Sequence, residues 1–195
     1  ADVSGSIQGE ENQPLSKRPK LHDSEWKTYG KKISEIAKRL DDIGLPMSYH
    51  EHMGTIIQSE SDVDRFVNET NDKSFLLYDT GHLLFAGADY QSVLTKYISC
   101  INHIHCKDIR IDVLKNSLAK DLSFRNSFLL GVFTVPGDGC IDYGPLLKIL
   151  YQNNYDKWLV IEAEQDPSIA NPLEYAKIGY SYLKNKVSEI GYEIN

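Results

Sequence analysis

The chain has only three cysteines, Cys100, Cys106 and Cys140. They are odd in number and stand at no metal or redox spacing, which argues against a disulfide framework and a thiolate metal site. A reducing, cytoplasmic compartment is the expectation. Basic residues are fewer than acidic ones, 21 against 28, giving a formal net charge of −7. A nucleic-acid groove needs clustered Lys and Arg, so the charge argues against that partner. The basic run SKRPK at 16–20 reads as a short charged loop. No apolar run approaches the roughly 18 residues of a membrane-spanning helix, so no membrane partner is expected. No glycine-rich phosphate loop follows an apolar run, which removes the Rossmann type of nucleotide site. Finally, the sequence opens on ADVSGSIQG without Met. That stretch reads as a strand followed by a loop, as if inside a domain.

What is present is an alternation of two periods. Trp26, Tyr29, Ile33, Ile36, Ala37, Leu40 and Ile43 fall at helical spacing and give a helix over 24–43. Asp23 or Ser24 is placed to cap it and Gly44 to end it. Further helices are expected over 61–68 (opened by Ser59 or Ser61), 90–97, 112–120, 123–130, 145–151 and 172–190. Between them lie LPMSYHEH, SFLLYD, CINHIH and KWLVIEAE, which read as strands. The second and last read as buried on both faces. The segment GVFTVPGDGCIDYG reads as a turn-rich loop. Strands alternating with helices predict an α/β fold with a parallel sheet and right-handed crossovers. About five strands are counted, including the one at the start.

Five of the six histidines follow the C-terminal ends of these strands: His50, His52, His82, His103 and His105. Asp79, Glu162 and Glu164 stand at strand ends as well. In a parallel α/β barrel that rim carries the active site. A period of two puts His50 with His52 on one face and turns Glu51 outward. It likewise groups His103, His105 and Lys107, and groups Glu162 with Glu164. Imidazoles and carboxylates from four strands suit a divalent metal without any thiolate. Read singly, each has an ordinary structural role. Asp79 in DTGH can bond local amides in a turn, and Glu162 can pair with a lysine. Together, so many buried ionisable groups are costly without a metal or mutual pairing. Cys106 alternates to the opposite face and reads as core, and Asp108 as a cap or ion pair.

At these residues the sequence resembles the inosose dehydratases of inositol catabolism, within the xylose-isomerase-like TIM-barrel superfamily. The segments SYHEHMGT, LLYDTGHLLFAG, HIHCKDIR, GVFTVPGDGCIDY and WLVIEAEQDPSIANPLEYA carry the resemblance over essentially the whole chain. It implies a (β/α)8 barrel, of which about the last five βα units are present. Residues 1–195 are then one partial barrel domain, from about the fourth strand to the C-terminal helix, and the sequence is expected to be part of a longer enzyme.

The resemblance also implies a divalent metal, Mn or Co, and loss of water from 2-keto-myo-inositol to give a trihydroxycyclohexane-dione. The partner is thus a small cyclitol. A glutathione requirement is implied too, with no residue identified for it, and a homo-oligomer stays open. Asp79 matches the strand-end aspartate ligand, His105 the second histidine of the His-X-His pair, and Glu162 the glutamate of the last strand, with Glu164 as its alternative. The fourth ligand is His50 or His52, where many relatives have a glutamate. His82 matches a histidine that contacts substrate. Lys107 and Arg110 follow as groups that could hold substrate oxygens.

The catalytic candidates are His82, Glu164 and whichever of His50 and His52 is not a ligand, His52 being taken for that role, without a ranking; Lys107 would stabilise negative charge as a cation rather than act as a base. His103 is expected beside His105 as a supporting partner. A keto-sugar isomerase or epimerase would use the same site and return the proton instead of expelling hydroxide. The other alternative is an inactive or purely binding remnant.

Overall fold

The structure, a computed structural model, describes residues 5–193. Its sheet is built from β1 (Ser48–His50), β2 (Phe75–Asp79), β3 (Ile101–Cys106) and β6 (Leu159–Ile161), in that spatial order and all parallel. A second, two-stranded antiparallel sheet joins β4 (Asp108–Ile109) to β5 (Phe133–Thr134). The helices are α1 (Trp26–Asp42), α2 (Glu60–Glu69), α3 (Thr80–Phe85), α4 (Tyr90–Tyr97), α5 (Ile111–Ala119), α6 (Phe124–Leu129), α7 (Tyr143–Gln152) and α8 (Pro172–Ile190).

Local chemistry sets most of these boundaries. Ser59 caps α2 and forms a reciprocal capping box with Asp62, which satisfies amides the first turn leaves bare. Ser123 caps α6 through the Asn126 amide. Asn171 caps α8, Pro172 occupies its first position, and Gly191 ends it in a left-handed conformation. Gly44, at φ +77°, follows α1 as expected.

Three expectations are corrected, and a fourth lies partly outside the described residues. The strand expected at the start of ADVSGSIQG falls on residues outside those described, and from Gly5 the chain is turn and loop. There the Ile7 amide donates to the Gly54 carbonyl. Neither Asp23 nor Ser24 caps α1: Glu25 precedes it without a side-chain cap bond, and Asp23 instead pairs with Arg65. The loop over 131–144 contains β5, a pair of residues too short to show a period. Phe133, fully buried there, drives the pairing. Last, β6 is only half-buried and Trp158 beside it is 75 % exposed. Among the described residues β6 is a sheet edge, so one side has no strand to cover it.

The sheet separates two environments. Tyr49, Leu76, Tyr78, Ile104 and Cys106 point into the main core, with Phe66, Leu94, Tyr143 and Leu146 from the helices. Fully burying a side chain such as Phe66 contributes about 1.5–3 kcal/mol. The intervening positions His50, Asp79, His103 and His105 share the other face. A smaller cluster of Met53, Phe85, Ile109, Phe124, Val132 and Phe133 packs under the β4–β5 pair and floors the site. Register is adjusted between Leu76 and Leu77, where Asn102 is skipped. Its amide is held by the Ser48 hydroxyl at 2.6 Å and the Met47 carbonyl at 3.2 Å.

Candidate metal and acid–base site

Four strand ends converge. Asp79 ends β2 and caps α3, its Oδ1 accepting from the Gly81 and His82 amides at 2.9 and 3.0 Å. The turn expected at DTGH is therefore the start of a helix. Capping fixes the carboxylate and turns Oδ2 into the site. That atom lies 3.3 Å from His105 Nδ1, 3.4 Å from His50 Nε2 and 3.4 Å from Lys107 Nζ. Glu162 Oε2, from the end of β6, lies 3.9 Å from His105 Nδ1.

These atoms fit a cation. His50 Nε2, Asp79 Oδ2, His105 Nδ1 and Glu162 Oε2 are buried without well-formed hydrogen bonds; the two carboxylate oxygens face the Lys107 ammonium as ion pairs. Buried polar atoms are normally paired, and gathering several in one place without full hydrogen bonding is costly. Two imidazoles and two carboxylates are a donor set for a divalent transition metal. Asp79, His105 and Glu162 place their ligand atoms within 4.8 Å of one another, and so do His50, Asp79 and His82.

A third such group is His52, His82 and Glu164. Glu164 Oε1 lies 3.5 Å from His52 Nε2, and its Oε2 lies 3.3 Å from His82 Nε2. His52 Nδ1 bonds the Met53 carbonyl at 2.8 Å. A carbonyl only accepts, so Nδ1 carries the proton and the Nε2 lone pair faces the site. The His82 ring lies 3.8 Å from that of His52 and packs on Phe124 and Phe133.

Lys107 joins the groups. Fully buried, its Nζ lies 2.5 Å from Glu162 Oε2, 2.8 Å from Glu164 Oε2 and 3.0 Å from His82 Nε2. An ammonium has only donors, so His82 Nε2 accepts. The Met53 amide, 3.4 Å from His82 Nδ1, is too long to set the opposite tautomer. The lysine stem lies over Gly81, where an added Cβ would meet Lys107 Cγ at 2.6 Å. The ammonium stands 4.8 Å from the centre of the Phe133 ring.

The electrostatics follow from this packing. Burial alone would lower the Lys107 pKa, but Asp79, Glu164 and Glu162 hold it above its ordinary value. Burial works against the Asp79 carboxylate too, yet Lys107 and the surrounding histidines keep it well below the usual range. Glu164 is likewise lowered against its burial, by His52, His82 and Lys107. Burial and then Lys107 push His82 well down, so its imidazole is neutral. Burial takes His50 down to about 4 against the pull of Asp79. Glu162 is raised, its burial outweighing Lys107.

Of the residues singled out from sequence, His50, His52, Asp79, His82, His105, Lys107, Glu162 and Glu164 are brought together. Arg110 is not among their partners. Its guanidinium donates to the Gly131 carbonyl at 2.9 Å, Asp138 at 2.6 Å and the Tyr175 hydroxyl at 3.2 Å. His103 stacks edge-on to His105, with ring centres 5.5 Å apart. Asp108 is buried and collects the amides of Ile109, Gly137 and Ile141, and Cys106 is core. Glu51 turns away from the histidines but not into water. It is buried, and its Oε1 accepts from the Asp79 amide at 2.9 Å. Outward parity in a layered α/β fold means the helix layer, which the alternation alone did not convey. Thr80 was not singled out. Its hydroxyl donates to the Lys107 carbonyl at 2.7 Å and fixes that end of the chain.

A cavity of about 300 Å³ opens beside Glu162, lined also by Val135, Ile161, Ala163, Gln165 and Tyr175.

Comparison with known proteins agrees with this architecture. The chain is 43 % identical over 183 residues to the rhizopine catabolism protein MocC of Rhizobium meliloti, covering 94 % of this chain and 56 % of MocC. It is 43 % identical over 183 residues to the inosose dehydratase of Clostridium beijerinckii, covering 93 % of this chain and 61 % of that enzyme. The chain thus spans under two thirds of the length of these curated relatives. A solved structure of the IOLI protein with a binding zinc atom superposes with a TM-score of 0.66 at 17 % identity, over 90 % of this chain and 61 % of that one. At that identity the likeness speaks for the fold alone. The model of the xylose isomerase-like TIM barrel matches residues 6–186, and the chain belongs to that family.

Proposed function

We propose that this chain supplies the metal-binding and acid–base wall of a hydro-lyase that removes water from 2-keto-myo-inositol. The observation that carries the reading is the convergence of two imidazole nitrogens and two carboxylate oxygens, one from each parallel strand end, all buried and without well-formed hydrogen bonds. The identity to the inosose dehydratase of Clostridium beijerinckii supports the substrate class. His50, Asp79, His105 and Glu162 would hold the ion, Mn or Co in this reading. When bound, the ion supplies Lewis-acid polarisation of the ketone and makes the neighbouring carbon more acidic.

The chain's own residues do the rest. Asp79 keeps its ligand oxygen in place because its other oxygen is tied to α3. Lys107 stays charged and faces negative charge developing on substrate oxygen. His52 is the base, because its Nε2 lone pair is exposed to the site while Nδ1 is tied to Met53. Glu164, 3.5 Å from that nitrogen, stabilises the imidazolium once the carbon-bound proton has moved. The same Nε2 proton can then follow the departing hydroxide. Neutral His82 and charged Lys107 would line the substrate's oxygens. Arg110, committed to Asp138 and Tyr175, shapes the wall next to the Glu162 cavity.

The test is incubation of the full-length protein with 2-keto-myo-inositol and Mn or Co, with and without glutathione. Loss of one water is expected. A product of unchanged mass would instead identify an isomerase or epimerase, and no turnover would refute both. A cytoplasmic enzyme is proposed with it; among the described residues no helix is long and apolar enough to cross a membrane.

A further inference from the structure

The described residues offer more ligand atoms than one ion uses. Asp79, His105 and Glu162 make one group, with His50 3.4 Å from Asp79, and His52, His82 and Glu164 make another; His82 also lies close enough to group with His50 and Asp79. The second has the features of a built cation position. His52 Nε2 is turned inward by the Met53 carbonyl, His82 Nε2 is buried, and both lie within 3.5 Å of the Glu164 carboxylate. A positive charge is already there: the Lys107 ammonium, 2.8 Å from Glu164 and 3.0 Å from His82.

We infer that the site has two cation positions, and that the chain fills the second with its own Lys107 ammonium so that it takes one divalent ion rather than two. The inference rests on the metal set proposed above. Three observations carry it. The first is geometric: Lys107 Nζ bridges the two sets, touching Glu164 and His82 of one and, at 2.5 and 3.4 Å, Glu162 and Asp79 of the other. The second is charge. The carboxylates facing this space are Asp79, Glu162 and Glu164, and one divalent ion plus one ammonium neutralises them. A second divalent ion beside the ammonium would leave a buried excess of positive charge. The third is that the ammonium is placed, not loose. Its stem lies in the groove left by Gly81, where a methyl group would meet Cγ at 2.6 Å and Cδ at 2.8 Å, and Phe133 backs its head. A tethered ammonium gives the site a second positive charge with hydrogen-bond donors and no second exchangeable ion.

The experiment counts ions in the full-length protein without substrate. Metal-free protein is dialysed against Mn²⁺ alone, and bound Mn per chain is read by elemental analysis. Wild type should bind one. Lys107→Met should bind two, with the spin coupling of a manganese pair in its magnetic resonance spectrum. Lys107→Arg, which keeps a cation, should bind one. If Lys107→Met fails to fold, Lys107→Gln takes its place: it keeps every ligand and a polar side chain, removes the ammonium and should also admit a second ion. One Mn in wild type and one in the variant would overturn the inference and leave the single metal set standing. Two in wild type would overturn it as well, since the ammonium would then exclude nothing. None in either would overturn both the inference and the metal set.

Discussion

Asp79 and His105 are register partners across β2 and β3, and their side chains meet with Oδ2 and Nδ1 3.3 Å apart. The sheet itself sets this pair: parallel register aligns the residues, the pleat turns both to one face, and the cap on α3 fixes which carboxylate oxygen is left over.

Asp79 therefore has two separable roles. Asp79→Asn keeps a capping oxygen but loses the charge, so α3 should persist while metal affinity falls at least about 10-fold, the low end for disturbed metal sites. Asp79→Ala removes the cap as well and should cost a further ~1 kcal/mol. Metal titration and thermal unfolding, run on both variants, separate the two losses. Equal affinity in Asp79→Asn and wild type would remove Asp79 from the ligand set.

Acid should weaken the metal-free protein. Burial holds His50 at about 4 in the fold against 6.5 for an ordinary histidine. Below pH 6.5 the unfolded chain takes up a proton that the folded chain refuses. This contribution is present above 6.5 and is lost as pH falls toward 4, on the order of 3 kcal/mol. Asp79, held well below its ordinary value, extends the loss to stronger acid. Urea unfolding after chelation should show a steeper fall between pH 7 and pH 4 in wild type than in His50→Asn. Parallel profiles would argue against the buried neutral imidazole.

Gly30 marks where α1 approaches α2. A Cβ there would come 2.1 Å from the Glu69 carbonyl oxygen. Alanine's helix propensity would gain about 1 kcal/mol, but the obstacle is backbone and cannot rotate away. Gly30→Ala should be destabilised overall by roughly 1–3 kcal/mol, read from a denaturant midpoint. A stabilised variant would mean the helices separate freely.

Asp108 holds the loop over 135–142 by accepting amides of Ile109 and Ile141 at 2.8 Å each. Asp108→Ala would strand buried donors at roughly 1–3 kcal/mol each. Faster amide exchange at Ile141 and Cys140 is expected, with exchange at Leu76 and Tyr78 unchanged. Uniform acceleration across the sheet would show that Asp108 supports the whole fold.

The sequence by itself determined most of the elements and which side chains share a strand face. Helix α8 begins and ends where Asn171, Pro172 and Gly191 place it, because caps act within one turn. His50 and His52 share a face, as do His103 and His105, because strand alternation needs no partner. What only the tertiary structure decided is how those faces meet. The direct pairing of β3 with β6, the short β4–β5 ladder and the half-exposed edge at Trp158 depend on segments distant in the chain, to which local periodicity is blind. The same holds for Glu51, whose parity was legible but whose burial against the Asp79 amide was not. Lys107 is the sharpest case. Its inward face followed from counting by two, but four flexible carbons separate the backbone from the charge. Gly81, Phe133 and three carboxylates from two other strands decide where that charge comes to rest.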